Sequence, residues 1–164
     1  MCTRISVFKK LAIASDHGGY ELKELLKDYV VRYGVEVVDL GTNDESSVDY
    51  SDFGAKAGIA VNEGVVDGAI VICGSGIGIS IAANKIPGVR AALCWDTYTA
   101  KMSRMHNDAN VLALGGRVTT FERAVDIVEL WLTTSFDGGR HQKRIDKLDS
   151  LAVEKWAEYL AKTK

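Results

Sequence analysis

The chain alternates short apolar runs with longer stretches in which apolar and polar positions recur at helical spacing. The short runs predict five β-strands, over 10–14, 35–40, 66–73, 89–94 and 111–114. The longer stretches predict helices over 20–33, 51–62, 97–106, 120–132 and 139–162, with a further helix that ends near 85. Each predicted strand is therefore followed by a predicted helix.

This regular alternation predicts an α/β fold. Since the strands are almost continuously apolar, they should form a parallel sheet covered by helices on both faces, and right-handed crossovers leave few other topologies. We predict a Rossmann-like, doubly wound, five-stranded parallel sheet. The long helix over 139–162 has no strand after it, so its apolar stripe is expected to pack elsewhere, on a partner subunit.

Length and composition are those of one ordinary globular domain. The 164 residues are 47% hydrophobic and no linker-like segment divides them, which predicts a single domain over 1–164. Residues 1–9 precede the first strand and are expected to form a short, loosely ordered extension. The net charge of −2 favours no nucleic-acid partner, and no apolar run is long enough to span a membrane. The widely spaced Cys2, Cys73 and Cys94 resemble no disulfide or zinc pattern, which favours a cytoplasmic location.

The stretch over 66–85 combines a buried strand, a glycine-rich turn and a helix, and Cys73 stands where the strand ends. Ligands of open α/β sheets bind outside the carboxyl ends of the strands, and free N–H groups at a helix start favour negative charge. A thiol at this position is favoured as thiolate and can act as a base or nucleophile. The alternative interpretation, a small buried apolar residue, applies better to Cys94, which lies inside a strand pattern.

The turn that follows holds alternate glycines and one hydroxyl: Gly74, Gly76, Gly78 and Ser75. Such a turn lets backbone N–H groups and the hydroxyl surround an oxyanion. It also suggests dinucleotide binding, with Asp96 near the position of a ribose-binding acid, although the third glycine comes one residue too early for that fingerprint. Two phosphate-binding loops are excluded, because no Gly-Lys-Ser/Thr follows at the Walker spacing and Ile79 stands where a cysteine phosphatase has arginine.

Other polar candidates follow strands or lie at helix ends. Asp16 and His17 follow the first strand, and Arg117 follows the fifth. His106 and Asn107 end a helix and do not follow a strand. The chain contains no histidine pair at i,i+4 and no HExxH motif, so we predict that it has no metal site.

Arg140 and Arg144 lie four residues apart at the start of the last helix and share one face, with His141 between them. Positive charge is unfavourable at that end of the helix dipole, whereas a bound phosphate would interact favourably with both the arginines and the helix N-terminus. A solvated basic face is the alternative. A phosphate site, together with a base and N–H donors at Cys73, fits aldose–ketose isomerisation, in which a proton moves between C1 and C2 and an enediolate oxygen is stabilised.

Five segments of the chain form a specific combination. They are Ser15-Asp16-His17-Gly18-Gly19, Asp49-Tyr50, the run from Cys73 to Lys85, the run from Ser103 to Leu112, and the run from Gly138 to Arg144. In these segments the chain resembles the B-type ribose-5-phosphate isomerases and the related galactose- and allose-6-phosphate isomerases. The resemblance extends from Lys10 to about Ile145. It implies interconversion of ribose 5-phosphate and ribulose 5-phosphate without a metal or an organic cofactor.

The resemblance also implies roles for individual positions. Cys73 would be the base, Ser75 a hydroxyl that acts with the loop N–H groups on the enediolate, and His106 the ring-opening residue. Asp16 and Asn107 would contact sugar hydroxyls. The phosphate would bind four basic side chains, those of His17, Arg117, Arg140 and Arg144. In this family the site forms between subunits, with the arginines of the last helix supplied by the partner, which implies a homodimer or a tetramer of paired dimers.

Two departures from the family pattern do not disable the site. Ser75 replaces the threonine of many members and keeps the hydroxyl, and the start of the chain is longer than usual. Members without the cysteine use a glutamate in the loop as base, so this chain resembles the cysteine branch. Three alternatives stay open: an isomerase of allose or galactose 6-phosphate, a dinucleotide-dependent oxidoreductase, and a sugar-phosphate-binding module without catalysis.

Overall fold

The computed structural model describes residues 5–163, and its centre is a five-stranded sheet in which all neighbouring strands run parallel. The strands are β1 (Lys10–Ser15), β2 (Glu36–Asp39), β3 (Gly68–Cys73), β4 (Ala91–Leu93) and β5 (Val111–Gly115). Their spatial order is β2-β1-β3-β5-β4, so the chain moves from β1 to one edge of the sheet and then, through β3, to the other. The predicted doubly wound parallel sheet is confirmed. Its switch point, where ligands of such sheets bind, lies between the ends of β1 and β3.

Residues 5–163 form six α-helices: α1 (Tyr20–Val30), α2 (Tyr50–Asn62), α3 (Ile77–Asn84), α4 (Thr97–Asn107), α5 (Phe121–Thr133) and α6 (Arg140–Lys162). Helices α2 and α3 pack together on one face of the sheet, and α5 packs with α1 and α4 on the other. The predicted long C-terminal helix is confirmed as α6. Within 5–163, none of the helices is both long enough and apolar enough to cross a membrane.

The two faces of the sheet differ in the size of their side chains. Large residues such as Leu11 and Ile70 fill the layer under α1 and α5, whereas alanines such as Ala12 and Ala69 dominate the layer under α2 and α3. An added Cβ at Gly54 of α2 would lie 2.7 Å from a carbonyl oxygen of α3. Close packing of α2 and α3 therefore depends on small residues, and it fixes α3 directly behind the end of β3.

Three local details differ from the sequence prediction. Strand β4 is shorter than predicted, because the backbone N–H of Arg90 donates to the Asn110 side chain (2.8 Å) instead of extending the strand ladder. The predicted first helix loses its regular α geometry after Val30, where a 3₁₀ turn ends at the left-handed Gly34 (φ 74°). Leu25, one of the apolar positions at helical spacing over 20–33, is 46% exposed and does not face the core.

Two residues of the N-terminal extension, Val7 and Phe8, contact the domain, whereas Ile5 is 80% exposed. The Val7 N–H donates to the Leu132 carbonyl at 2.8 Å. The ring of Phe8 is buried and stacks on Trp131 of α5, with 4.4 Å between ring centroids. The expectation of loose order is therefore wrong for Val7 and Phe8. Residues 1–4, with the first cysteine, lie outside the described residues.

Candidate active site

Cys73 and Asp16 lie at the carboxyl ends of the two strands at the switch point of the sheet. Cys73 is the last residue of β3, only 4% exposed, and its Sγ accepts a hydrogen bond from the Gly76 N–H at 3.2 Å. Asp16 follows β1, is 5% exposed, and its Oδ1 accepts from the Gly18 N–H at 2.8 Å. A thiol that already receives a backbone N–H at the start of α3 sits where negative charge on sulfur is stabilised.

The glycine turn between β3 and α3 has the conformation that its composition predicts. Gly76 is left-handed (φ 78°), and an added Cβ there would lie 2.8 Å from the backbone of Leu114. The Ser75 hydroxyl accepts from the Ile77 N–H at 3.3 Å and is exposed towards the cleft. The turn therefore presents a hydroxyl and closely approaching backbone beside Cys73, as an oxyanion site requires.

A cleft of about 380 Å³ opens beside these residues. Its lining consists of Asp16, Tyr50, Cys73, Gly74, Ser75, Gly78, Arg117 and Val118. Tyr50 enters from the first turn of α2, and an added Cβ at Gly78 would lie 2.6 Å from its ring. No role for Tyr50 was predicted, although Asp49-Tyr50 is one of the segments that carry the family resemblance. Its position depends on the packing of α2 against α3, which the local sequence does not reveal.

The loop after β5 joins this cleft to a second cavity. The Gly116 N–H donates to the Cys73 carbonyl at 2.8 Å, and the Arg117 N–H donates to the Gly74 carbonyl at 3.1 Å. Beyond Arg117 lies a cavity of about 620 Å³, and His17 lines it as well. The His17 Nδ1 accepts from the Val48 N–H at 3.3 Å, which fixes the orientation of the ring. These two basic side chains, together with the acids Glu21 and Glu45, give the cavity a polar wall.

We call Asp16, His17, Cys73, Gly74, Ser75, Gly76, Gly78 and Arg117 the carboxyl-edge half-site. Four other predicted residues do not belong to it: His106, Asn107, Arg140 and Arg144. Helix α4 begins beyond β4 at the carboxyl edge, and its 11 residues carry the chain back by about 16 Å. It ends just before β5 begins, so His106 and Asn107 lie at the amino edge of the sheet.

The start of α6 packs beside the end of α4 and places the remaining two arginines there. The rings of His106 and His141 stack in parallel, with centroids 4.3 Å apart and 5° between their planes. The Arg140 Nε donates to the His141 Nε2 at 3.4 Å, and the exposed Arg144 lies one turn further along α6. We call His106, Asn107, Arg140, His141 and Arg144 the amino-edge half-site. Within one chain the structure does not bring the two half-sites together.

Asp96 and Cys94 have structural roles. The Asp96 carboxylate caps α4, with its Oδ1 2.7 Å from the Thr99 N–H and 2.8 Å from the Thr99 hydroxyl. The Thr99 N–H holds the pKa of the Asp96 carboxyl below its usual range. Burial raises the pKa of the Cys94 thiol, which lies in the apolar core. Asp96 is therefore engaged by its own helix, which removes the residue that favoured dinucleotide binding.

One group of possible metal ligands occurs among residues 5–163. It consists of His106, Asp137 and His141, whose ligand atoms all lie within 4.8 Å of one another. Spacing along the chain could not reveal this group, because a loop brings Asp137 to the end of α4. Burial lowers the pKa of His141, and the neighbouring charges of His106, Arg140 and Arg144 lower it further. The same arginines repel a divalent cation, and the absence of a metal stays a prediction.

Comparison with known proteins identifies relatives along most of the chain. Residues 11–148 match the family model described as Ribose/Galactose Isomerase. Ribose-5-phosphate isomerase B of Escherichia coli is 47% identical over 143 residues, which are 87% of this chain and 96% of the relative. The solved ribose-5-phosphate isomerase B of Clostridium thermocellum superposes with a TM-score of 0.88 at 53% identity, over 89% of this chain and 99% of that one. The Mycoplasma genitalium enzyme, solved with bound ribulose-5-phosphate, has a TM-score of 0.85 and 41% identity, over 88% and 97% of the two chains.

Proposed function

The chain belongs to the ribose/galactose isomerase family, and we propose that it interconverts ribose 5-phosphate and ribulose 5-phosphate through an enediolate. The observation that carries the proposal is the position of Cys73 at the end of β3, where its Sγ accepts a hydrogen bond from the Gly76 N–H. Cys73 lines the same cleft as Asp16 and Arg117. The sequence identity of 47% and 53% with two ribose-5-phosphate isomerases B supports ribose 5-phosphate as the substrate.

The chemistry needs a base and a site for the enediolate oxygen. The Cys73 thiolate takes the C2 proton of open-chain ribose 5-phosphate, and the thiol so formed returns a proton to C1, while a second proton passes from O2 to O1. The Ser75 hydroxyl and the backbone of Gly74, Gly76 and Gly78 stabilise the enediolate oxygen. No step requires a metal or an organic cofactor.

The remaining residues bind the substrate in this proposal. Asp16 and Asn107 contact sugar hydroxyls, and His106 opens the sugar ring. The phosphate binds to basic side chains of both half-sites, namely His17, Arg117, Arg140 and Arg144. Binding energy from the remote phosphate positions C1 and C2 against the base.

The separation of the two half-sites supports a homodimer in which each active site combines the carboxyl-edge half-site of one chain with the amino-edge half-site of its partner. Helix α6 supports the same arrangement, because beyond Ile145 it presents a stripe of large apolar side chains, each at least 46% exposed: Leu148, Leu151, Val153, Trp156, Tyr159 and Leu160. Such an exposed stripe is typical of a helix that packs on another subunit. Residues 139–162 are thus proposed to contact the partner, within a single isomerase domain over 1–164. Dimers of this kind can pair into a tetramer.

A hexose-6-phosphate isomerase is the second candidate, because galactose isomerases share the family. One extra carbon changes only the distance between the phosphate site and Cys73. Kinetics with ribose 5-phosphate, allose 6-phosphate and galactose 6-phosphate, with a chelator present, test the proposal. We expect the highest kcat/KM for ribose 5-phosphate and no effect of the chelator. A higher kcat/KM for either hexose phosphate would identify that sugar phosphate as the preferred substrate. Binding without turnover would show that the protein is a non-catalytic binding module.

The cytoplasmic location predicted from the sequence belongs to the same proposal. A base such as Cys73 requires a reduced thiol, and both described cysteines, Cys73 and Cys94, are free. Reduced thiols persist in the cytosol. Fractionation of the source cells, with isomerase activity assayed in each fraction, tests this location.

A further inference from the structure

The backbone that follows the last turn of α4 has an unusual conformation. Asp108 has a φ of 44°, the left-handed region, which among the described residues no other non-glycine residue adopts. It comes directly after His106 and Asn107, so its conformation sets the direction in which α4 ends. Aspartate tolerates this region only at a cost, and surrounding contacts must hold it there.

Arg90 and Arg104 supply those contacts together. The Arg90 Nε and Nη2 donate to the Asp108 carbonyl at 3.2 and 3.1 Å from the half-exposed side, and Arg104 reaches the Asp108 carboxylate from inside the protein. The Arg104 side chain is nearly fully buried, and its Nη1 lies 2.9 Å from the Asp108 Oδ1 and donates to the Ala109 carbonyl at 2.7 Å. Its guanidinium carbon lies 4.8 Å from the centroid of the Phe8 ring and 5.9 Å from that of Trp131. A planar guanidinium can hydrogen-bond at its edge while aromatic rings contact its face, which a lysine ammonium cannot do.

The same guanidinium also reaches the segment that leads into α6. The Arg104 Nε lies 3.4 Å from the Thr134 carbonyl, where α5 ends and the connection to α6 begins. One helical residue further, the Met105 carbonyl accepts from the Asp137 N–H at 3.0 Å. The end of α4 and the connection to α6 are thus joined at two neighbouring residues of α4.

We propose that Arg104 is a positioning residue for the amino-edge half-site: it fixes the end of α4 and the start of α6 relative to each other, and so holds His106 against His141 beside Arg140. The proposal rests on the proposed function for the role of His106 in catalysis, but not for the geometry. Arg104 contacts neither Cys73 nor any other residue of the carboxyl-edge half-site in this structure, so it acts only through the residues that it positions.

Three variants of the full-length chain test the proposal: Arg104→Lys, Arg104→Ala and Lys23→Met. Lys23 is a fully buried cation of α1, ion-paired with Asp39 at the opposite edge of the sheet, so its loss is a matched control for removal of a buried charge. The first readout is the NMR shift of the His106 and His141 ring protons, which mutual stacking shields. We expect both Arg104 variants to lose this shielding and Lys23→Met to keep it.

The second readout is turnover and its rescue. We expect kcat of Arg104→Lys and Arg104→Ala to fall about 10- to 100-fold, the usual effect of displacing a functional group by about 1 Å. Guanidinium ion, below the concentrations that unfold the protein, should refill the cavity of Arg104→Ala and restore part of kcat in a saturable manner, and it should not affect Lys23→Met.

The two proposals fail in different ways. Retained ring shielding in folded Arg104 variants overturns the positioning role whatever the activity, and so does a kcat equal to that of the wild type. If Arg104→Ala does not fold, Arg104→Lys carries both readouts. If the wild type itself shows no isomerase activity, the proposed function fails, while lost shielding would still establish the structural part of the inference.

Discussion

The Gly76 N–H points at the Cys73 sulfur from 3.2 Å, across the turn that joins β3 to α3. Gly76 can do this because it is left-handed, with φ 78°, and because its missing side chain lets the turn lie against the backbone at the end of β5. A donor fixed in the backbone favours negative charge on the sulfur that it faces. In the proposed mechanism, the conformation of this turn therefore helps Cys73 to act as the base.

Replacement of Cys73 by alanine should abolish proton transfer and leave substrate binding nearly intact. We expect kcat to fall by about 10³-fold, within the range for loss of a general base, while the Kd for ribose 5-phosphate measured by calorimetry changes little. Cys94→Ala is the matched control, because it removes a second buried thiol, which lies in the apolar core. Near-normal turnover in Cys73→Ala would show that Cys73 is not the base.

Gly116→Ala should disturb the substrate site more than the fold. An added Cβ would lie 2.5 Å from the Gly18 carbonyl oxygen, so the loops after β1 and β5 must separate and move His17 away from Arg117. We expect KM for ribose 5-phosphate to rise about 10-fold, as for loss of one hydrogen bond to a charged group.

Gly64→Ala provides the control for Gly116→Ala. Gly64 has φ 69° and open space around its Cα, so alanine there costs about 1 kcal/mol of backbone strain and leaves KM unchanged. Equal KM values for the two variants would show that the contact between the loops does not position His17 and Arg117 for substrate binding.

The sequence predicted which residues meet at the carboxyl edge of the sheet, for a simple reason. Parallel strands end at one edge of the sheet, so residues such as Asp16, Cys73 and Arg117, which lie at or just after the ends of strands, must approach one another. The five predicted strands are confirmed, with β4 three residues shorter than predicted and β2 and β3 two residues shorter. Local patterns were sufficient here because β3, β4 and β5 are apolar throughout and the turns after β1, β3 and β5 contain glycines.

The amino-edge half-site depends on contacts between distant parts of the chain. His106 and His141 are 35 positions apart (141 − 106) and meet only because α6 begins beside the end of α4. Tyr50 likewise enters the cleft through the packing of α2 on α3, and Phe8 is ordered by Trp131, far along the chain. No local period or spacing encodes such contacts, so the sequence alone suggested neither the histidine pair nor the packed N-terminus.

The free energy of unfolding should depend on pH through His141. Burial lowers its pKa first, and the charges of His106, Arg140 and Arg144 add to this. The folded protein therefore binds this proton less readily than the unfolded chain, whose histidines titrate near pH 6.5. The stability linked to His141 is fully present above that pH and is lost as the pH falls through the lower folded value.

Urea unfolding of the wild type and of His141→Gln, followed between pH 7.5 and pH 5, checks this dependence. We expect the free energy of unfolding to fall less steeply in His141→Gln as the pH decreases. His17→Gln is the control, because it removes a histidine from the other half-site. The same slope in wild type and His141→Gln would rule out His141 as the group responsible.

Phe8→Ala should destabilise the whole domain although residue 8 precedes the first strand. The ring is buried between Trp131 and the Arg104 guanidinium, so its removal leaves a cavity in the core. We expect a loss of about 3 kcal/mol or more in the free energy of unfolding, typical of a buried Phe→Ala change. Phe8→Leu, which refills most of the volume, should lose clearly less, and chemical denaturation measures both.

Mixing two inactive variants tests whether active sites form between chains. If Cys73 acts with the partner's His106, a heterodimer of Cys73→Ala and His106→Asn contains one site with both native residues and one site with neither. Random exchange makes half of the dimers mixed, and one site in two works in them, so mixing should restore about a quarter of wild-type activity. Mixing Cys73→Ala with Ser75→Ala should restore none, because both changes lie in the same half-site. If His106 instead served the Cys73 of its own chain, every site in the first mixture would carry one defect and the activity would stay at the level of the separate variants.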